Sequence, residues 1–163
     1  MTQCLLHEIN LQKDFLGDET VESIYFGGGT PSILPESTIQ QLIDEVRRAF
    51  KVADTIECTL EANPDDITAL KIKSYAAMGI NRLSIGIQSF FDDDLQFMNR
   101  AHDRLQAFEC IRLAKENGIL NISADLIFGF PLLTDEKWKQ NIDKMLQLNI
   151  PHISCYAMTV EPK

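Results

Sequence analysis

The stretch SIYFGGGTP, residues 23–31, decides the fold, because it joins a short apolar strand directly to a glycine-rich turn. Three successive glycines allow positive backbone φ and let a ligand approach main-chain N–H and C=O groups closely. A plain tight turn between a strand and a loop would use the same residues. Thr30-Pro31 does not open a helix, as a GxGxxG fingerprint requires, and no Gly-Lys-Ser/Thr follows. A nicotinamide or nucleoside triphosphate site is therefore disfavoured.

Outward from this turn, strand-like and helix-like segments alternate along the whole chain. The i, i+3, i+4, i+7, i+11 spacing of an amphipathic helix is followed by Ile39, Leu42, Ile43, Val46 and Phe50. Further helices are predicted over residues 1–16, from a cap at Asp65 or Asp66 to Met78, over 92–117, and after Thr134. Strands are predicted over residues 23–26, 55–60, 82–87, 119–128 and 152–158.

This alternation predicts an α/β fold with a parallel sheet, since parallel neighbours need crossover connections. The strand segments are apolar runs, which is typical of sheets covered on both faces. A doubly wound sheet and a β/α barrel both satisfy the order. The barrel is favoured, because its strand ends converge on one face and unusual residues follow every strand. They lie at 27–30, 61–64, 88–90, 125–131 and 156–157.

Composition excludes several functional classes. The 163 residues are 45% apolar and 24% charged, as in an ordinary globular domain, and carry a net charge of −9. This acidity and the lack of a Lys/Arg run argue against nucleic acid and anionic membrane partners. No segment approaches a membrane span, and the start MTQCLLHEIN lacks the features of a signal peptide. A cytoplasmic location is therefore expected.

Cysteine and histidine spacing predicts no metal site and no catalytic residue. No CxxC or CxxxCxxC pattern exists among Cys4, Cys58, Cys110 and Cys155, which we expect to be buried free thiols. The histidines show no HxH or HExxH pattern and are expected to be structural or exposed.

Polar side chains at the ends of the apolar strands are the candidate binding residues. Glu61 needs a donor there, such as an ammonium group, a ribose diol or a basic side chain. Gln88 offers a donor and an acceptor, to a ligand or to a loop backbone. Arg100 follows a short helix, where solvation or an ion pair is the common role. Asp125 interrupts an apolar run, and the cost of an unpaired buried carboxylate favours a ligand role.

Six motifs in one order resemble a known family: GGGTPSIL (27–34), LEANPDD (60–66), GIQSF (86–90), NRAHD (99–103), DLIFGFP (125–131) and HISCYAMTVEPK (152–163). The family is the radical S-adenosylmethionine (SAM) proteins related to oxygen-independent coproporphyrinogen III oxidase. PSIL, ANP, QSF, RAH and TVEPK are more similar to its haem chaperone branch than to its oxidase branch. The resemblance covers essentially the whole chain and implies a partial (β/α)6 barrel.

The resemblance also implies a SAM site at the strand ends. Family members bind the methionyl end of SAM at the glycine turn, and some are described as binding a second SAM. Carried over position by position, the implied SAM-binding residues are Gly28, Gly29, Thr30, Glu61, Gln88, Arg100, Asp125 and Ala157. Of these, Ala157 is marked by the resemblance alone.

One family feature is missing from the sequence. In the family, a CxxxCxxC loop holds a [4Fe–4S] cluster that chelates SAM and cleaves it to a 5′-deoxyadenosyl radical. This chain has no CxxxCxxC, and its cysteines do not match the cluster positions. Residues 1–16 resemble the first barrel helix, so we expect the preceding strand and cluster loop, and the family's C-terminal domain, to be missing. We predict one incomplete barrel domain over residues 1–163. The sequence is then a fragment, or its start codon was assigned too late. We expect this domain to bind no cluster by itself.

The resemblance predicts the core of a protein that binds and transfers haem, using SAM and a [4Fe–4S] cluster in the longer parent. The alternative within the family is oxidative decarboxylation of coproporphyrinogen III. A non-radical β/α enzyme, such as an aldolase or isomerase, and a SAM- or haem-binding remnant without radical chemistry also stay open. Haem or a porphyrinogen is thus an expected partner beside SAM. The oligomeric state and the haem ligand, for which His102 and Cys155 are conceivable, stay open.

Overall fold

The computed structural model describes residues 1–159, which form a half-barrel of five parallel strands connected by helices. The strands are β1 (Val21–Phe26), β2 (Val52–Ala62), β3 (Arg82–Gln88), β4 (Asn121–Phe128) and β5 (His152–Ala157). The α-helices are α1 (Thr2–Leu11), α2 (Glu36–Ala49), α3 (Ala69–Ala77), α4 (Asp92–Phe97), α5 (Arg104–Glu116) and α6 (Asp135–Gln147). The strands pair in chain order, which confirms the partial barrel, whereas a doubly wound sheet reverses its order at a switch point.

The outer face of the sheet packs against the helices. Alternate strand residues such as Leu60, Ile85 and Ala124 are fully buried there. They share a hydrophobic core with Ile43 of α2 and Ile111 of α5. Burial of this apolar surface supplies the main driving force for the fold.

The inner face of the sheet is polar. Glu61 pairs in register with Ser84, Ser84 with Ser123, and Asp125 with Ser154, so polar side chains follow one another across the strands. The expectation of strands covered on both faces is therefore wrong for this face. In a half-barrel no helix covers the inner face, although Thr59 and Ser123 on that face are buried.

Several helix boundaries differ from the sequence expectation. α1 ends at Leu11, and α3 begins only at Ala69, where the Thr68 hydroxyl accepts a hydrogen bond from Lys71 N–H. The proposed caps at Asp65 and Asp66 are wrong, because the preceding proline starts a separate 3₁₀ turn over Pro64–Asp66. The Thr134 cap of α6 is confirmed, since its hydroxyl accepts from Lys137 N–H.

All four thiols are free, as expected, but only two of them are buried. Cys58 and Cys110 are buried, whereas Cys4 and Cys155 are exposed. Cys4 lies on α1, which buries none of its residues against the described chain, and Cys155 lies on the outermost strand β5. None of the helices in residues 1–159 is long and apolar enough to cross a bilayer.

β1 forms an edge of the sheet, since within the described residues it pairs only with β2. Beside it lies an open apolar groove of about 780 Å³ between α1, β1 and α2. Leu5, Ile24 and Val46 are among its lining residues. A free strand edge next to apolar surface is a template for pairing with another chain.

We predict that Ser23→Lys on β1 lowers self-association of the purified chain, because charge on an edge strand opposes strand pairing. Sedimentation velocity should show the weight-average mass falling toward that of a monomer. Ser37→Lys adds the same charge on the exposed surface of α2 and should leave self-association unchanged. A wild-type chain that is already a monodisperse monomer would contradict the prediction.

Candidate functional site

A polar cleft of about 270 Å³ lies where the strands end. Six of the eight residues singled out in the sequence line it, namely Gly29, Thr30, Glu61, Gln88, Arg100 and Asp125. Gly28 lies next to them and donates its N–H to the Glu61 carboxylate. Ala157 is not among the lining residues and lies at the end of β5, paired with Phe128. The ends of the strands therefore converge on the cleft, except that no residue of β5 lines it.

Four further lining residues were not among the expected SAM-binding residues: Ala62, Asn63, Ser84 and Gly86. Ser84, Gly86 and Gln88 occupy every second position of β3 and all line the cleft, although the register with β4 shifts between Ile85 and Gln88. The strand period would have identified Ser84 and Gly86 once Gln88 was chosen. Asn63 directly follows Ala62, the last residue of β2, so its position at a strand end was its only signal.

The Glu61 carboxylate is fixed to the glycine turn. One oxygen accepts the Tyr25 hydroxyl at 2.7 Å, and the other accepts Gly28 N–H at 3.1 Å. A Cβ at Gly27 would lie 2.6 Å from Cε1 of Tyr25 and 2.9 Å from Oε1 of Glu61, so any other residue there would displace these two side chains. The donors that a strand-end carboxylate needs are thus supplied within the chain, and they orient it toward the cleft.

The Arg100 guanidinium enters the cleft rather than solvent. Its Nη2 donates to Oδ1 of Asn63 at 2.8 Å, so the expected ion pair is replaced by a bond to a neutral amide. A Cβ at Gly86 would lie 2.7 Å from Nε2 of Gln88 and 3.4 Å from Nη2 of Arg100. Glycine at position 86 is what lets these polar groups come together.

Asp125 introduces a second carboxylate into the cleft. Its burial raises the pKa of the Asp125 carboxyl above the ordinary value, while a hydrogen bond from Ser154 acts in the opposite direction. The negative charge of Glu61 raises the pKa further. Two carboxylates, one guanidinium and a glycine backbone suit a ligand that carries hydroxyls and both signs of charge.

The cysteines do not fit an iron–sulfur cluster. Cluster iron is bound by thiolates, and burial raises the pKa of Cys58 to about 11 and of Cys110 to about 12, which keeps both as thiols. In residues 1–159, no group of three His, Cys, Asp or Glu side chains comes together in a way that could hold a metal ion.

Comparison with known proteins gives one family. The family model described as "Radical SAM superfamily" matches residues 6–158. The "Heme chaperone HemW" of Haemophilus influenzae is 38% identical over 162 residues, which are 99% of this chain and 42% of that protein. The HemW of Bacillus subtilis is 40% identical over 148 residues, 90% of this chain and 39% of that protein. The chain thus spans about two fifths of the length of these curated relatives.

A solved structure gives the same family. Coproporphyrinogen III oxidase (HemN) from Escherichia coli, a radical SAM enzyme, superposes with a TM-score of 0.90 at 28% sequence identity. The superposition covers 98% of this chain and 37% of that one. The half-barrel described above is therefore the fold of a known radical SAM protein over the matched part.

We predict that Glu61→Gln lowers the pKa of Tyr25. Burial raises that pKa, and the hydrogen bond and negative charge of Glu61 raise it further, so the substitution leaves burial as the main cause. A ¹³C NMR titration of the Tyr25 ring measures the change. Glu57→Gln, on the same strand outside the cleft, is the control, and equal shifts in both variants would contradict the prediction.

We predict that Asp125→Asn stabilises the fold at neutral pH. Because the folded-state pKa of Asp125 is raised, the folded chain binds more protons than the unfolded chain, and stability falls as pH rises from the ordinary carboxyl pKa of 3.8. The variant should therefore melt at a higher temperature than wild type at pH 7, with the difference vanishing below pH 3.8. Thermal unfolding at several pH values measures this.

The exposed carboxylate of Asp54 provides the control for that experiment. Asp54→Asn removes the same charge from β2 without relieving burial, so it should produce no comparable rise in melting temperature. A melting temperature of Asp125→Asn that is below wild type at pH 7 would show that the carboxylate stabilises the fold.

Proposed function

This chain belongs to the radical SAM superfamily, and from that premise we propose that it is the SAM-binding part of a haem chaperone-like protein. The observation that supports the proposal is the convergence of Glu61, Arg100 and Asp125 on one polar cleft beside the glycine turn. SAM carries an ammonium group, a carboxylate, a sulfonium and a ribose diol. The cleft offers an acceptor or a donor for the ammonium, carboxylate and hydroxyl groups of SAM.

The glycine turn and Glu61 are assigned to the methionyl end of SAM. Gly28, Gly29 and Thr30 present backbone groups, and no Cβ at positions 28 or 29 stands between that backbone and a ligand. Gly28 has φ of +82°, a conformation that L side chains rarely adopt. The Glu61 carboxylate, already oriented by Tyr25 and Gly28, accepts from the ammonium group.

The remaining cleft residues are assigned to the rest of the ligand. Arg100 keeps donors beyond the one given to Asn63 and pairs with the methionyl carboxylate. Asp125 and Gln88 accept from the ribose hydroxyls, and Ala157 provides a contact at the end of β5. Bound SAM supplies a sulfonium that one-electron reduction can cleave. The chain's own part is to bind and orient it.

The haem function of the whole protein rests on the relatives. The haem chaperones are 38–40% identical to this chain, against 28% for the coproporphyrinogen oxidase, so haem binding and transfer is the favoured function. Oxidative decarboxylation of coproporphyrinogen III is the second candidate, favoured by the TM-score of 0.90. Haem or a porphyrinogen is then the partner beside SAM, and a net charge of −9 makes nucleic acid an unsuitable one.

The domain organisation and the location of the protein belong to the same proposal. Residues 1–163 form a single domain that is part of a larger barrel protein, and that protein works in the cytoplasm. A [4Fe–4S] cluster, where present in that protein, takes its ligands from outside the cysteines of this chain. A SAM-binding remnant without radical chemistry shares the cleft and differs only in lacking such a cluster.

We predict that the chain binds SAM in isothermal titration and that Glu61→Gln raises the Kd about tenfold, because one charge-assisted hydrogen bond is weakened. Glu57→Gln removes the same charge from the same strand outside the cleft and should leave the Kd unchanged. A wild-type chain that binds no SAM at millimolar concentration would overturn the proposed function and return the non-radical β/α enzyme to consideration.

Haem separates the two family branches. In the native product of the source cell, the chaperone function predicts a haem-bound Soret band and transfer of that haem to an apoprotein. The oxidase function predicts conversion of two coproporphyrinogen propionates to vinyl groups, which mass spectrometry detects. Formation of the vinyl product without stable haem binding would replace the first candidate by the second.

A further inference from the structure

Gln88, one of the cleft residues, lies at the centre of a strained turn. Its φ is +67°, which non-glycine residues seldom adopt. Across it, Ser89 N–H donates to the Ile87 carbonyl at 2.8 Å. A positive φ with this hydrogen bond is the pattern of the rarer, strained form of the γ-turn. Strain of this kind persists only where the surrounding structure holds it, so the neighbours of the turn must supply the restraint.

One restraint acts before Gln88. Nε2 of the buried His102 lies 3.0 Å from the Ile87 carbonyl oxygen, the same oxygen that accepts from Ser89. Burial lowers the pKa of His102, so the ring is neutral near pH 7 and Nε2 carries the proton that the carbonyl accepts. The carbonyl is thus held by two donors, and β3 cannot rotate freely at its last residues.

A second restraint acts after Gln88 and comes from α6. Oδ1 of Asn141 accepts Phe90 N–H at 2.8 Å, and Nδ2 of Asn141 donates to the Ser89 hydroxyl at 3.1 Å. The Ser89 hydroxyl in turn donates to the Asp94 carboxylate at 2.7 Å. Ser89, Asp94 and Asn141 are all fully buried. One amide therefore fixes both residues that follow Gln88.

The network is closed by a cation on the same helix. Nζ of Lys137 donates to the second oxygen of Asp94 at 2.7 Å and to Asp93 at 2.6 Å. A buried carboxylate is costly unless paired and hydrogen-bonded, and Asp94 is both. The polar groups around Asn141 are therefore satisfied, and a satisfied buried network is rigid.

We infer that Asn141 is a positioning residue for the SAM cleft, acting through the strained turn to hold the Gln88 side chain inside it. The inference rests on the proposed function. Asn141 itself does not line the cleft. Without the Asn141 amide, Phe90 N–H loses its acceptor and the Ser89 hydroxyl keeps only its bonds to Asp94 and to Phe91 N–H. The turn then relaxes toward ordinary backbone, and the Gln88 side chain leaves its place beside Gly86 and Arg100.

The test is a double-mutant cycle read as SAM affinity by isothermal titration with the full chain. Gln88→Ala and Asn141→Ala should each raise the Kd for SAM about tenfold, a value within the range expected for releasing one strained residue. Combined with Gln88→Ala, Asn141→Ala should raise the Kd no further, because its effect passes through the Gln88 side chain. Additive effects of the two substitutions would overturn the inference.

Asn81→Ala is the control for a loss of stability alone. The amide of Asn81, like that of Asn141, makes two hydrogen bonds across the structure, accepting Cys58 N–H at 2.9 Å and donating to the Ile56 carbonyl at 2.8 Å, but at the opposite end of the sheet. Both asparagine variants should melt at a lower temperature than wild type, and only Asn141→Ala should weaken SAM binding.

The outcomes separate the inference from the proposal beneath it. A folded Asn141→Ala variant that binds SAM as tightly as wild type overturns the inference and leaves the proposed function standing. Equal loss of affinity in Asn81→Ala and Asn141→Ala also overturns it, since both would then act through stability. A wild-type chain that binds no SAM overturns the proposed function and with it the role given to Asn141.

Discussion

Parallel hydrogen bonding between strands that follow one another in chain order is the constraint on which the rest of this structure depends. It directs the carboxyl ends of all described strands to one edge, with each helix returning the chain to the other edge. Residues as distant in sequence as Gly29 and Asp125 therefore line the same cleft. The outer face supplies the apolar burial that stabilises this arrangement, so the inner face is free to carry polar groups.

The cleft contains groups whose folded conformation costs free energy. Asp125 is half-buried with a raised pKa, and Gln88 is held at a positive φ. Groups that cost stability and converge on one cleft are typical of binding sites, where the ligand rather than the fold satisfies them. Fully buried side chains such as Leu60 and Leu83 lie directly behind it and offset that cost.

Local sequence predicts the features that depend on neighbours along the chain. The strand and helix order followed from periodicity, and Glu61, Gln88 and Asp125 were found because a polar residue at the end of an apolar strand is conspicuous. The roles of Asn141 and His102 could not be predicted, because their partners lie about 50 and 15 residues away and no local pattern encodes that contact. The inner-face polarity of the strands was missed for a related reason: alternation is weak where serine and glycine occupy the polar positions.

Gly29 and Thr30 line the polar cleft on one side and the apolar groove beside β1 on the other. One short piece of backbone is thus a shared wall between two compartments of opposite character. A molecule bound in either compartment contacts that wall. If a molecule bound in the groove changes the affinity of the cleft for its ligand by some factor, the ligand must change the affinity of the groove for that molecule by the same factor.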